Sequence, residues 1–196
     1  MNNDLSSPPA VNPDNLAVGM IRPNMQDIPQ FAFPAGYGMR PMRLGEGVLW
    51  TEIQRASESW FTISDTLFDK QFGVDLPATA SRCFFIINEQ GDAIGTISAW
   101  YARDIRGQEY GRIHWVAIIP AYRGKGLVKP AMSYTMNVMA QWHERAYLDT
   151  SSGRIPAIKV YLDFGFLPDL ELPDARAAWD KVAAVLKHPV LEAALA

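Results

Sequence analysis

From Ile113 to Ile119 the chain is almost continuously apolar, then passes through Pro120-Ala121-Tyr122 into Arg123-Gly124-Lys125-Gly126-Leu127, after which the pattern turns helical. A strand entering a glycine-rich basic turn that opens a helix fixes much of what can surround it. The first amides of a helix have no partner within the helix, and its dipole places partial positive charge on them. Such a junction suits an anion of pyrophosphate size, and the glycines let backbone approach it closely.

The rest of the chain is consistent with one domain around that junction. At 196 residues and 48% hydrophobic it has the material for a single core. Residues 1–36 hold six of the fourteen prolines and are expected to form a proline-dense extension, its first dozen residues disordered, with Phe31 and Phe33 draped over the domain of residues 37–196. A net charge of -3 argues against broad phosphate neutralisation, so nucleic acid is not an expected partner. The start of the chain lacks a basic and apolar leader and no stretch reaches a membrane-spanning length, so a cytoplasmic protein is expected. Cys83 is the only cysteine, which leaves no disulfide and no thiolate set for a metal. It sits in an apolar run and reads as core.

Periodicity and turn residues predict the elements. A strand over 38–44 precedes helices over 46–58, with Leu49, Trp50, Ile53 and Ala56 inward, and over 61–72. Strands over 82–88, 93–103 and 109–119 are separated by Asn88-Glu89-Gln90-Gly91-Asp92 and Asp104-Ile105-Arg106-Gly107, which predicts an antiparallel meander. A helix from Gly124 carries Val128, Met132, Thr135, Met136, Met139 and Trp142 on one stripe, with Pro130 in its first turn. A strand over 147–150, a helix over 155–164, a strand over 166–170 and a helix over 174–187 complete the chain, the last with Trp179, Val182, Val185 and Leu186 inward.

Two nucleotide-loop patterns fail at the turn. The P-loop requires Ser or Thr where Gly126 follows Lys125, and the dinucleotide fingerprint requires a third glycine where Lys129 stands. The pattern R/Q-x-x-G-x-G/A fits Arg123 to Val128, with Val128 in place of Gly or Ala. About 30 residues on, Ala157-Ile158-Lys159-Val160-Tyr161-Leu162-Asp163-Phe164-Gly165-Phe166 fits A-x-x-x-Y-x-x-x-G-F. In this order the two resemble motifs A and B of the GCN5-related N-acetyltransferase (GNAT) superfamily, over roughly residues 38–170. Many members carry Asn where this chain has Arg154.

The resemblance implies an α/β (α+β) fold, a mixed and mostly antiparallel central sheet flanked by helices, and acetyl-CoA as donor. It implies an acetyltransferase that passes the acetyl group to a primary amine directly in a ternary complex. Arg123, Gly124, Lys125, Gly126, Leu127 and Val128 then form the pyrophosphate cradle, and Tyr161 protonates the departing thiolate. Such transfer also needs a donor for the developing oxyanion, expected from the main chain of Val116, Ala117 and Ile118.

The base is open. Alternation puts Tyr110, Arg112, His114, Val116 and Ile118 on one face of their strand, so His114 is a candidate, with a structural histidine as the plainer reading. Glu109 is the alternative. His143 and His188 read as compensating helix carboxyl ends. Trp50, Trp60, Trp100 and Tyr101 either line an acceptor pocket or pack the core. A non-catalytic acyl-CoA-binding or interaction module is the competing function, and neither the acceptor nor the oligomeric state can be read from the sequence.

Overall fold

The computed structural model describes residues 15–196. In chain order the elements are β1 (Ala17–Arg22), β2 (Gly38–Pro41), α1 (Gly47–Ser57), α2 (Leu67–Phe72), α3 (Leu76–Arg82), β3 (Cys83–Ile87), β4 (Ala93–Ile105), β5 (Gln108–Ile118), α4 (Val128–Met139), β6 (Ala146–Ser151), α5 (Ile155–Asp163), β7 (Leu167–Pro168), α6 (Ala175–Val185) and α7 (Pro189–Leu195). The fold is mixed α/β, with mostly antiparallel strands flanked by helices. No helix among the described residues is long and apolar enough to cross a membrane. Pro8, Pro9 and Pro13, and the reading of the first dozen residues, lie outside the described residues.

The described residues form two compact units, one of residues 24–146 and one that joins residues 15–23 to residues 147–196. In the first, β2, β3, β4 and β5 lie side by side, each antiparallel to the next. The predicted meander is therefore present. Its turn at 88–92 is held by the Asn88 side chain, which accepts from the Gln90 and Asp92 amides at 3.1 and 2.9 Å. One face of this sheet packs under α1 and α2, where Trp50, Ile53, Phe68 and Phe72 meet Cys83, Phe85, Trp100 and Ala117. Along α4, Ser133 Oγ donates to the Pro29 carbonyl at 2.7 Å and accepts the Phe31 amide at 3.0 Å, while Lys129 Nζ lies 5.1 Å from the Phe31 ring centre. Residues 29–31 are thus strapped to that helix.

In the second unit β6, β1 and β7 are neighbours in that order, with β1 and β7 antiparallel. The α6 stripe of Ala175, Ala178, Trp179 and Val182 is buried. β1 lies inside the stretch whose prolines suggest an extension, yet Val18 and Met20 are core residues.

Several elements differ from the sequence reading, each for a local reason. The helix expected over 61–72 begins only at Leu67, after a turn in which the Leu67 amide donates to the Ser64 carbonyl at 3.1 Å, and Glu58 Oε1 accepts the Ser59 and Trp60 amides at 2.8 and 2.7 Å just after α1. α3 was not expected from the sequence; Asp75 caps it by accepting the Ala78 amide, and Pro77 sits in its first turn. On α1, Gln54 and Thr51 are buried where Ala56 was expected, and Ala56 is exposed. Trp142 and Val185 are exposed too; α4 ends at Met139, so Trp142 leaves its stripe and instead covers the Arg82 guanidinium at 4.2 Å. His188 does not close α6 but caps α7, accepting the Val190 amide at 3.3 Å.

Candidate functional site

β5 does not run straight into the turn. Ser98 pairs with His114 and Thr96 with Ala117, so Trp115 and Val116 together face Ile97 alone. This is a two-for-one β-bulge. It overturns the alternation expected for the strand: opposite residues share a face, so Ala117 joins His114 on the α1 side, while Ile118 joins Ile113 on the other. Trp115 carries the bulge at φ 51°, a conformation that costs a non-glycine residue on the order of 1–3 kcal/mol. The strain is offset by specific contacts. The Trp115 carbonyl accepts from Thr96 Oγ1 at 2.8 Å and from Gln54 Nε2 at 3.1 Å, and its indole N–H donates to Gln71 Oε1 at 3.2 Å. The ring itself sits edge-on between Trp50 and Phe61, with centres 5.2 and 6.3 Å away.

Beyond the bulge the chain makes one 3-10 turn, Pro120–Tyr122, and enters the glycines. Gly124 and Gly126 both adopt left-handed φ, 76° and 74°, which is why glycine is required at these two positions. Residues 123–126 are exposed, whereas Leu127 is only 1% exposed and anchors the start of α4 in the core. No side chain caps α4, so its first amides keep their capacity for an external acceptor. Left-handed residues alternating with ordinary ones just before a helix start form a concave set of amides that favours anions.

The turn is also braced from outside. Arg123 Nε donates to the Ile118 carbonyl at 3.1 Å and its NH2 group to the Ser57 carbonyl at the end of α1, at 2.7 Å. Its charge therefore complements a helix carboxyl end and shapes the turn. Lys125 Nζ lies 5.7 Å from the Tyr122 ring centre, and Val128 is half-buried as α4 opens.

In the other unit, Tyr161 lies on α5 with its ring 6.2 Å from that of Phe166. It is buried, and burial pushes its phenol up to about 12, with Arg154 acting weakly in the opposite sense. The hydroxyl has no hydrogen-bond partner among the described residues. Motif B thus places a protonated phenol on a short helix whose end is closed by the Phe166 amide donating to the Tyr161 carbonyl at 3.0 Å.

A sequence model of the acetyltransferase (GNAT) family matches residues 25–166. The chain belongs to the GNAT family. Its fold is similar to that of a GCN5-related N-acetyltransferase from Sphaerobacter thermophilus (TM-score 0.61, 14% identity, 78% of this chain and 48% of that one). It is also similar to a GNAT-family acetyltransferase from Colwellia psychrerythraea (TM-score 0.60, 11% identity, 79% and 53%). A chain of the NatC complex, solved with Gag peptide and CoA, matches at TM-score 0.53 and 15% identity over 65% of this chain and 82% of that one. The present chain spans about half the length of the first two. No curated protein matches it.

Within this GNAT domain the remaining candidates separate. His114 is 8% exposed, and its Nε2 lies 3.0 Å from Gln71 Oε1, so Nε2 carries the proton. Burial, then the nearby Arg112 charge, holds its pKa well below the usual histidine value. It is a neutral imidazole. Glu109 pairs with His143 Nδ1 at 3.3 Å, and Arg82 NH1 lies 3.1 Å from His143 Nε2. Burial first, then Arg82, lowers the His143 pKa, so it is not the cation expected at a helix carboxyl end. Trp50 and Trp100 are core residues. Cys83 is a buried thiol pushed up to about 12 by desolvation, which removes it as a nucleophile.

Gln54, Gln71 and Thr96 were not singled out by the sequence. The one signal was a glutamine one position from Ile53 on the inward side of α1, where a polar residue needs a buried partner.

The two histidines make stability depend on pH. Each folded pKa lies below the ordinary value of 6.5, so the unfolded chain binds more protons as pH falls through that value. Stability is full above about 6.5 and is lost progressively below it. Urea midpoints should be lower at pH 5.5 than at pH 7.5, and His143→Gln should flatten that difference; equal slopes with and without His143 would contradict its neutral burial.

Proposed function

We propose that the chain is an N-acetyltransferase that moves the acetyl group of acetyl-CoA to a primary amine by direct attack in a ternary complex. The observation that carries this reading is the turn itself: two left-handed glycines and an uncapped α4 start directly after a bulged strand. In a GNAT domain the natural occupant of that amide cradle is the pyrophosphate of CoA, and CoA is present in the NatC structure that the fold resembles.

The amides from Gly124 to Val128 would hold the pyrophosphate, with Lys125 adding charge from the exposed rim. Arg123 keeps the turn in shape. The main chain of Val116, Ala117 and Ile118 would lie along the pantetheine arm, although the Ile118 carbonyl already accepts from Arg123. The neutral amine attacks the thioester carbon, the carbonyl oxygen becomes an oxyanion held by a strand amide, and the C–S bond then breaks. The thiolate takes its proton from Tyr161, and the ammonium proton leaves to a base. His114 is the candidate for that base through Nδ1, since Nε2 is engaged by Gln71.

A thermal-shift titration with CoA tests the reading. A ligand held only by the folded state at 100 times its Kd stabilises by about 2.7 kcal/mol, or about 5–10 °C for a chain of this size. Absence of a shift with CoA or acetyl-CoA would overturn it. A shift without release of free CoA across an amine panel would favour a binding module instead.

A further inference from the structure

A buried polar network in the first unit serves the bulge. Gln54 and Thr96 are 3% and 1% exposed, and neither takes part in helix or sheet pairing through its side chain. Gln54 Nε2 donates to Thr96 Oγ1 at 2.6 Å and to the Trp115 carbonyl at 3.1 Å, and Thr96 Oγ1 passes its own proton to the same carbonyl at 2.8 Å. The donors are consistent: an amide supplies two protons, a hydroxyl accepts one and gives one, and the carbonyl receives two. Two desolvated side chains from α1 and β4 thus converge on one peptide oxygen, at the one residue of β5 held at positive φ.

A trans peptide is planar, with its C=O and N–H antiparallel. Fixing the Trp115 carbonyl towards Thr96 therefore aims the Val116 N–H away from β4. Val116 has no register partner on β4, so the orientation is not imposed by that ladder. The side chains that engage this peptide's carbonyl are those of Gln54 and Thr96, while Gln71 accepts the indole N–H of the same residue at 3.2 Å.

We infer that Gln54 and Thr96 are positioning residues, a buried strut that locks the Trp115–Val116 peptide so that the Val116 amide is presented to the thioester oxygen. This rests on the acetyl-transfer reading above. A preset amide stabilises the oxyanion without reorganising during reaction, whereas a peptide free to relax from the strained conformation loses that alignment. The strut touches no reacting atom and acts through Val116.

The test is the carbonyl stretch of isotopically labelled acetyl-CoA bound to the protein, read by infrared difference, together with thioester turnover. Binding of acetyl-CoA to the native chain lowers the stretching frequency through the Val116 amide. Thr96→Val and Gln54→Met, close in size but unable to hold the carbonyl, lose most of that downshift and reduce turnover at least tenfold, with CoA affinity little changed. Thr96→Ser restores both. If Thr96→Val does not fold, Gln54→Met gives the same reading. A native chain that binds no acetyl-CoA defeats the acetyl-transfer reading and this inference with it. A native chain that binds acetyl-CoA without a downshift, or variants that keep the downshift and the rate, overturn the strut alone.

Discussion

On the proposed acetyl-transfer chemistry, replacing Tyr161 with Phe should lower turnover by about 10²–10⁴-fold, the usual contribution of a positioned proton donor, and leave CoA affinity near that of the native chain. The fold tolerates the change, because the ring that packs against Phe166 remains and the hydroxyl gives up no hydrogen bond among the described residues. Held at about 12 by burial, the phenol stays protonated through the whole neutral range, so in the proposed transfer a proton is available to the thiolate. The same shift has a consequence for stability. The folded pKa lies above the ordinary 10.0, so the unfolded chain loses this proton first, and the contribution is present below pH 10 and lost as pH rises towards 12. Tyr161→Phe removes that alkaline loss while it removes activity. Parallel measurement of kcat and of urea midpoints between pH 7 and pH 11 separates the two effects; a variant that keeps full turnover would show that the thiolate leaves unassisted.

The parts of the fold that could be read in advance are those whose signal is local. The meander of β3, β4 and β5 follows from apolar runs bounded by residues with turn chemistry, and the Asn88 side chain provides its turn as expected. The family motifs are legible for the same reason, since Gly124 and Gly126 stand where left-handed backbone is required. What could not be read depends on distant partners. Nothing in Ile113 to Ile119 marks a bulge, because the run continues to alternate plausibly, and the partners that donate to the displaced carbonyl, Thr96 and Gln54, lie far away in the sequence. β1 was hidden by neighbouring prolines, although its own residues Val18 and Met20 reach the core. Arg123 shows the same limit from the other side: its place in the motif is evident, but its engagement by the carbonyls of Ser57 and Ile118 is a tertiary fact.

The largest loss of stability is expected at Trp50. The side chain is 0% exposed and meets Phe68, Phe72 and Trp115 edge-on, with ring centres 5.5, 5.5 and 5.2 Å away. Trp50→Ala removes those contacts and leaves a cavity that the surrounding rings cannot close, which costs about 3–5 kcal/mol. Against a total stability of roughly 5–15 kcal/mol for a domain, that brings the chain close to unfolding. Trp50→Phe separates the causes. The indole N–H is buried without a partner among the described residues, so its removal sacrifices no hydrogen bond, and the smaller ring keeps part of the packing. Urea unfolding should therefore rank native, Trp50→Phe and Trp50→Ala in that order, with the second much nearer the first. A small effect for Trp50→Ala would contradict the packing described for α1 and α2. Because Trp50 also supports the ring of Trp115, the alanine variant loosens the bulge while still folded, so its kcat should fall more than its KM for acetyl-CoA rises at temperatures where the native fold persists.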